Sequence, residues 1–260
     1  MRARARLVVE LDEAGRSVVR EMRSMAPLRL VPARGRGGVA LVHLVSAVTS
    51  PLGGDDLELH VRVGPGAALE LRGVAATLAL PGHHPGGSRA LVRVELGAGA
   101  SLEHLPEPTV VTARANHEAV FRADLADDAR VRTREIVAAG RLNERAGSLT
   151  TTLDVRRNGT VIRQTTRLGV SEVDASPAGL AGRRVLGTEL LCWGRDLPAA
   201  VAEDWWSLVP LARGGSLATV LADDAVTALR ALDDARRRHP GSAEDLLTRS
   251  RTRFRAESHS

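Results

Sequence analysis

Leu57-Glu58-Leu59-His60-Val61-Arg62-Val63 alternates apolar and polar residues without a break. Gly64-Pro65-Gly66 follows, and alternation resumes at Leu69-Glu70-Leu71-Arg72. Period two places one face of a strand on a core and the other in water. The same pattern recurs at Val92-Arg93-Val94-Glu95-Leu96. Further strands are predicted over 4–11, 16–22, 39–46, 100–105, 108–113, 117–125, 129–138, 148–156, 161–168, 185–192 and 216–222. So many strands, and so little helical periodicity, predict a mainly β protein.

Gly64-Pro65-Gly66, Gly97-Ala98-Gly99 and Ala126-Asp127-Asp128 each end one strand and precede an alanine and another strand. They stand about 30 residues apart, a period that suggests stacked β units. The expected architecture is a many-stranded stacked-sheet or β-solenoid-like body, or a large sandwich, with one or two short C-terminal helices. Asn158-Gly159 marks a hairpin. The segments 24–38, 73–89 and 169–184 read as loops. One helix is predicted over Ala225–Arg237, with Val226, Leu229 and Leu232 at helical spacing, Asp223 or Asp224 as cap, and Pro240-Gly241 as its stop. Residues 1–240 are expected to form a single domain, and 241–260 a flexible polar tail.

The 260 residues suffice for a sizeable core. All 36 basic residues are arginine, and the formal net charge is +5. GC-rich codon usage accounts for the absence of lysine, which removes Schiff-base chemistry and the Walker lysine. One cysteine, Cys192, excludes a disulfide framework and multi-cysteine metal sites. It sits in an apolar strand and reads as a small buried hydrophobe. Two Phe, three Trp and no Tyr are too few rings for base stacking. The arginines are interleaved with acids, so no nucleic-acid partner is expected. The best apolar run, Val39 to Val48, falls short of the ~18 residues of a membrane span. No h-region precedes Glu10, so a cytoplasmic location is expected and no membrane partner.

The glycine clusters at 35–38 and 53–54 do not continue as nucleotide-binding motifs, and Asp55 there is expected to bond nearby amides in a tight turn. No G-x-S-x-G is present. Of eight scattered histidines, His83 and His84 are adjacent in a Gly/Pro loop, His104 and His117 lie on or beside strands, and His83, His84 and His104 are the candidate metal ligands. In Val131-Arg132-Thr133-Arg134-Glu135-Ile136-Val137, Glu135 shares a face with Val131, Thr133 and Val137. If that face is the core, Glu135 points inward. It then lines a polar channel or pairs with an arginine such as Arg141.

Three blocks in order resemble the family of urease accessory proteins called UreD or UreH. They are Pro51-Leu52-Gly53-Gly54-Asp55 with the strand after it, Leu102-Glu103-His104-Leu105-Pro106-Glu107-Pro108, and Glu135 through Gly140-Arg141. The resemblance covers roughly residues 40–170 and continues loosely to Ala222-Asp223-Asp224-Ala225. It implies a β-rich, non-enzymatic maturation factor. Such a protein binds apo-urease and UreF, with UreG recruited through UreF. It passes nickel through an internal polar tunnel, without a tightly bound cofactor. By matching position it implies tunnel roles for Asp55, Glu135 and Arg141. The family's aromatic in the second block is His104 here, and the family's Lys and Tyr near 74–80 are missing.

Trp205 and Trp206 are candidates for a partner surface. Two other functions compete. A metal-dependent hydrolase would use His83, His84, His104 and a carboxylate. A polymer- or sugar-binding β-solenoid would need more aromatic platforms than Trp193, Trp205 and Trp206 provide.

Overall fold

A computed structural model describes residues 1–83, 86–169, 171–193 and 196–243. The chain opens with β1 (Arg2–Leu11), β2 (Ser17–Arg23), β3 (Leu28–Ala33) and β4 (Ala40–Ser46). Coils follow: β5 (Asp56–Val63), β6 (Ala68–Gly73) and β7 (Thr77–Ala79), then β8 (Ser88–Leu96), β9 (Ser101–Leu105) and β10 (Thr109–Val111). The next coil is β11 (Asn116–Leu125) and β12 (Arg130–Ala139). A hairpin of β13 (Ser148–Arg156) and β14 (Thr160–Leu168) turns at Asn158-Gly159. After α1 (Ser171–Ala175) come β15 (Val185–Cys192), β16 (Val201–Glu203), β17 (Trp206–Pro210) and β18 (Ser216–Ala222). The chain then enters α2 (Ala225–Arg238) and a 3-10 turn, Pro240–Ala243.

These strands make two sheets, in the orders β14-β13-β11-β8-β5-β1-β2 and β16-β17-β18-β15-β12-β9-β6-β4-β3. Successive coils alternate their long strands between the sheets, with β7 and β10 added beside β12 in the second, so neighbours in the first sheet run parallel through β1, β5, β8, β11 and β13. In the other sheet the parallel set is β4, β6, β9 and β12. This is the expected solenoid-like stack, and its repeat is physical. In each of the three turns the final alanine N–H donates to the residue three before it, at 3.1, 3.0 and 3.1 Å. The turns also bond to one another: Gly66 N–H donates to Ala98 O at 2.8 Å, and Gly99 N–H to the Asp128 carboxylate at 2.6 Å. Gly66 (φ 69°) and Gly99 (φ 64°) occupy the left-handed region, as the third position of a type II turn requires.

The opposite ends of the coils are joined by long returns: 47–55, 74–87, 106–115 and 140–147. Short turns close one end of the coils and long returns the other, where a cavity opens between the two sheets. The short-turn end is filled by aliphatic side chains such as Leu7, Leu59, Leu69, Leu102 and Val131. A smaller cluster with Ala79, Val111, Val137, Leu149 and Leu180 closes the return end. A third, with Ile136, Leu191, Leu208 and Val220, lies under α2.

The predicted helix forms. Asp224 caps it by accepting the Thr227 N–H at 2.9 Å, and three arginines occupy its last turn, where they complement the carbonyl end. Its buried stripe is Ala228, Leu232 and Ala235, whereas Val226 is exposed. Arg132 ties the helix region to the sheet. Its guanidinium makes two bonds to Glu189, at 2.9 and 3.3 Å, and lies 3.6 Å from Glu103 and 4.0 Å from Asp233.

Three expected loops hold regular structure. The segment 24–38 contains β3, an edge strand carrying Pro32, whose missing N–H an edge tolerates. The segment 73–89 contains β7, and 169–184 contains α1. Among the described residues no helix is long and apolar enough to cross a membrane. Most of the expected tail, from 244 onward, lies outside the described residues.

Candidate functional site

The cavity between the two sheets holds about 580 Å³. Sheet residues wall it from both sides, and the returns after β4, β6 and β9 rim it. Most of the wall is aliphatic: Leu57, Leu59, Leu91, Val92 and Leu153 among others. Its carboxylates are Glu107 and Glu135.

Glu135 faces inward because it alternates with Thr133 and Val137 on β12. Thr151, inward on the facing strand β13, has its hydroxyl oxygen 2.9 and 2.7 Å from the two carboxylate oxygens and donates to them. Burial disfavours the charge more than this hydroxyl supports it, so the Glu135 pKa is raised. Two imidazoles line the same space. His104 stacks on Phe121 with ring centroids 5.1 Å apart, and its Nδ1 lies 3.0 Å from the Thr133 hydroxyl. His117 Nδ1 lies 2.9 Å from the Ser88 hydroxyl. Burial pushes both imidazoles down to about 4, helped at His104 by the Arg134 charge. Both are therefore neutral near pH 7, offering nitrogen lone pairs rather than positive charge.

Asp55 is buried behind the rim. It accepts the Leu52 N–H at 2.9 Å and the Ser50 hydroxyl at 2.8 Å, and the Met1 amine lies 2.9 Å away. Burial works against its charge, but these donors together hold its pKa below the usual value. The cavity wall is formed by its neighbours Ser50 and Pro51 rather than by Asp55. Asp55 thus fixes the 47–55 return, as the tight-turn reading expected. Gly53 locks that return to the next one: a Cβ there would sit 2.7 Å from Gly82 N and 2.9 Å from Gly86 O.

Arg141 lies elsewhere. Its side chain is 53% exposed, 3.9 Å from Glu144, and outside the cavity wall. The expected Glu135–Arg141 pair does not form, because Gly140 (φ 80°) turns the chain outward after β12. His83 is exposed on its return whereas His104 is buried in the cavity, and His84 lies outside the described residues. Among the described residues no three His, Cys, Asp or Glu side chains gather as a metal site. Trp206 is buried under α2, while Trp205 is 44% exposed beneath the Arg183 guanidinium, 3.9 Å above its ring. Cys192 is buried and its thiol is pushed up to about 11 by burial, as fits a packing residue.

Thr151 belongs to no motif, and His117 is one of eight scattered histidines that spacing alone does not distinguish. The signal for Thr151 was present: Leu149, Thr151, Leu153 and Val155 share a face, the same parity that points Glu135 inward.

A family model described as UreD urease accessory protein matches residues 1–257. The chain is 52% identical to urease accessory protein UreD 1 of Saccharopolyspora erythraea, over 96% of this chain and 99% of that protein. It is 40% identical to urease accessory protein UreD of Parafrankia sp., over 95% and 92% of the two chains. The protein of that name from Streptomyces coelicolor is 36% identical, over 90% and 95%.

Proposed function

Because the chain belongs to the UreD family of urease accessory proteins, we propose that it holds apo-urease and a UreF–UreG complex while nickel passes through its inter-sheet cavity. The observation that carries the reading is Glu135. It is a carboxylate aimed into that cavity from a central strand, held by one hydroxyl and, among the described residues, by no cation. A passing nickel ion would offset the burial that disfavours the charge, so the ion and the ionised carboxylate would favour each other. Glu107, also in the wall, offers a second stopping point. Single carboxylates and neutral imidazoles bind a divalent ion weakly and exchangeably, which suits transfer rather than storage. Asp55 would act at one remove, by shaping the rim.

The hydrolase alternative needs His83 and His104 to converge. One is on an exposed return and the other is stacked on Phe121. That placement favours the maturation reading.

The test is co-expression with urease subunits, UreF and UreG under limiting nickel. Omitting this chain is expected to leave urease inactive, and Glu135→Ala to lower urease nickel content while complex formation persists. Urease active without this chain would sink the reading. Full activation by both Glu135→Ala and Asp55→Ala would remove the conduit role.

A further inference from the structure

The parallel register of the seven-stranded sheet aligns one row of outward side chains across it. Arg6 pairs with His60, His60 with Arg93, Arg93 with Arg122, Arg122 with Asp154 and Asp154 with Arg163. With strands ~4.8 Å apart, the row runs ~24 Å from Arg6 to Arg163. It holds four guanidiniums, an imidazole and one carboxylate; Arg6 is met by Glu21 at 3.0 Å and His60 by Glu95 at 3.1 Å, so the surplus lies at Arg93 and Arg163. The row's own carboxylate, Asp154, is 1% exposed, with Arg122 at 3.4 Å and Arg156 at 3.3 Å. A second row, four residues along each strand, is balanced instead: Asp56, Arg89 and Glu118 alternate, at 3.7 and 3.3 Å. In the unbalanced row the Arg93 Nε is buried without a hydrogen-bond partner. Among the described residues no ion pair engages Arg93 or Arg163.

We propose that this outer face is a docking surface for a carboxylate-rich protein surface. Guanidinium forks in a fixed row bind carboxylates bidentately and set register. A phosphate backbone fits less well. Glu58 and Glu95 stand two residues along their strands from the row, and a protein partner can place basic groups against them where a phosphate backbone cannot. The face also lacks aromatic platforms, since Phe121 is turned inward onto His104. The choice of apo-urease as probe rests on the maturation reading above.

The experiment measures binding of the full chain to apo-urease, to an Asp/Glu-rich peptide and to a DNA duplex, at low and high salt. Three forms are compared: wild type, Arg93→Glu/Arg163→Glu, and a control reversing two exposed loop charges, Arg34→Glu/Arg36→Glu. Melting curves verify folding, and Arg93→Gln/Arg163→Gln stands in if the reversal unfolds the chain. The face double variant is expected to bind apo-urease and peptide about tenfold more weakly, with the control unchanged and wild-type binding falling as salt rises. Equal binding by both double variants overturns the proposal, as does tighter binding of duplex than peptide. If wild type binds no apo-urease, the maturation reading falls and the peptide decides the face. Uptake lost in the face variant supports it, and no uptake overturns it.

Discussion

The Thr151 hydroxyl donates to Glu135 across the gap between two sheets, with its oxygen 2.7 and 2.9 Å from the carboxylate oxygens. The two residues are 16 positions apart and lie on strands of opposite sheets. Their bond therefore gauges the width of that gap. Thr151→Val removes the donor and is expected to cost about 1 kcal/mol at neutral pH, the net contribution of one hydrogen bond at this half-buried site. Thr151→Ser should recover most of that loss. Thermal melts of both variants check it, and equal melting points would show that the hydroxyl contributes nothing.

The buried charges around Arg132 make a second test. Arg132→Met leaves Glu189, 1% exposed, without its bidentate partner. A loss of about 3–5 kcal/mol is expected. The double variant Arg132→Met/Glu189→Met should regain part of it, since Glu189 is then not stranded while Glu103 still loses its Arg132 neighbour. Urea titration of the three variants measures the coupling. A double variant no better than the single would place the damage in packing.

The imidazoles set a pH dependence. In the unfolded chain His104 and His117 titrate near 6.5, and in the folded chain near about 4. Between these values the unfolded state binds the extra protons. Stability is therefore full above about 6.5 and falls as pH drops toward 4, by on the order of 3 kcal/mol per imidazole. Urea midpoints from pH 7.5 to 4.5 should follow that slope. His117→Asn should flatten it; an unchanged slope would exclude His117 as a source.

Gly53→Ala tests the closure of the rim. The added Cβ meets backbone atoms of Gly82 and Gly86 at 2.7 and 2.9 Å, and backbone cannot rotate away as a side chain can. The 47–55 and 80–87 segments should separate, with faster amide exchange at Gly53 and Gly54, whose N–H groups donate to Leu80 O and Gly87 O. Exchange like that of the wild type would show that the returns have slack.

Alternation made most strands readable, because half-buried strands must alternate. It failed where burial was one-sided or brief. β3 is an exposed edge carrying Arg29 and Pro32, β7 has three residues, and β16 and β17 pass through 201–210 without a clear period. Parity also read Glu135 correctly as inward. It could not find the partner, because Arg141 is near in sequence yet lies beyond the Gly140 turn, whereas Thr151 arrives from the other sheet. The row of basic side chains was likewise invisible. Arg6, His60, Arg93, Arg122 and Arg163 are scattered in sequence, and only the parallel register brings them into line.

The stacked turns leave no slack in chain length. A residue added at Gly64-Pro65-Gly66, Gly97-Ala98-Gly99 or Ala126-Asp127-Asp128 would invert the facing of the strand that follows, expelling Leu69, Leu102 or Val131 from the core. A residue added in a return changes only the rim. Inherited insertions and deletions should therefore accumulate at the return end, making the cavity mouth the part of the molecule that lineages can most freely reshape.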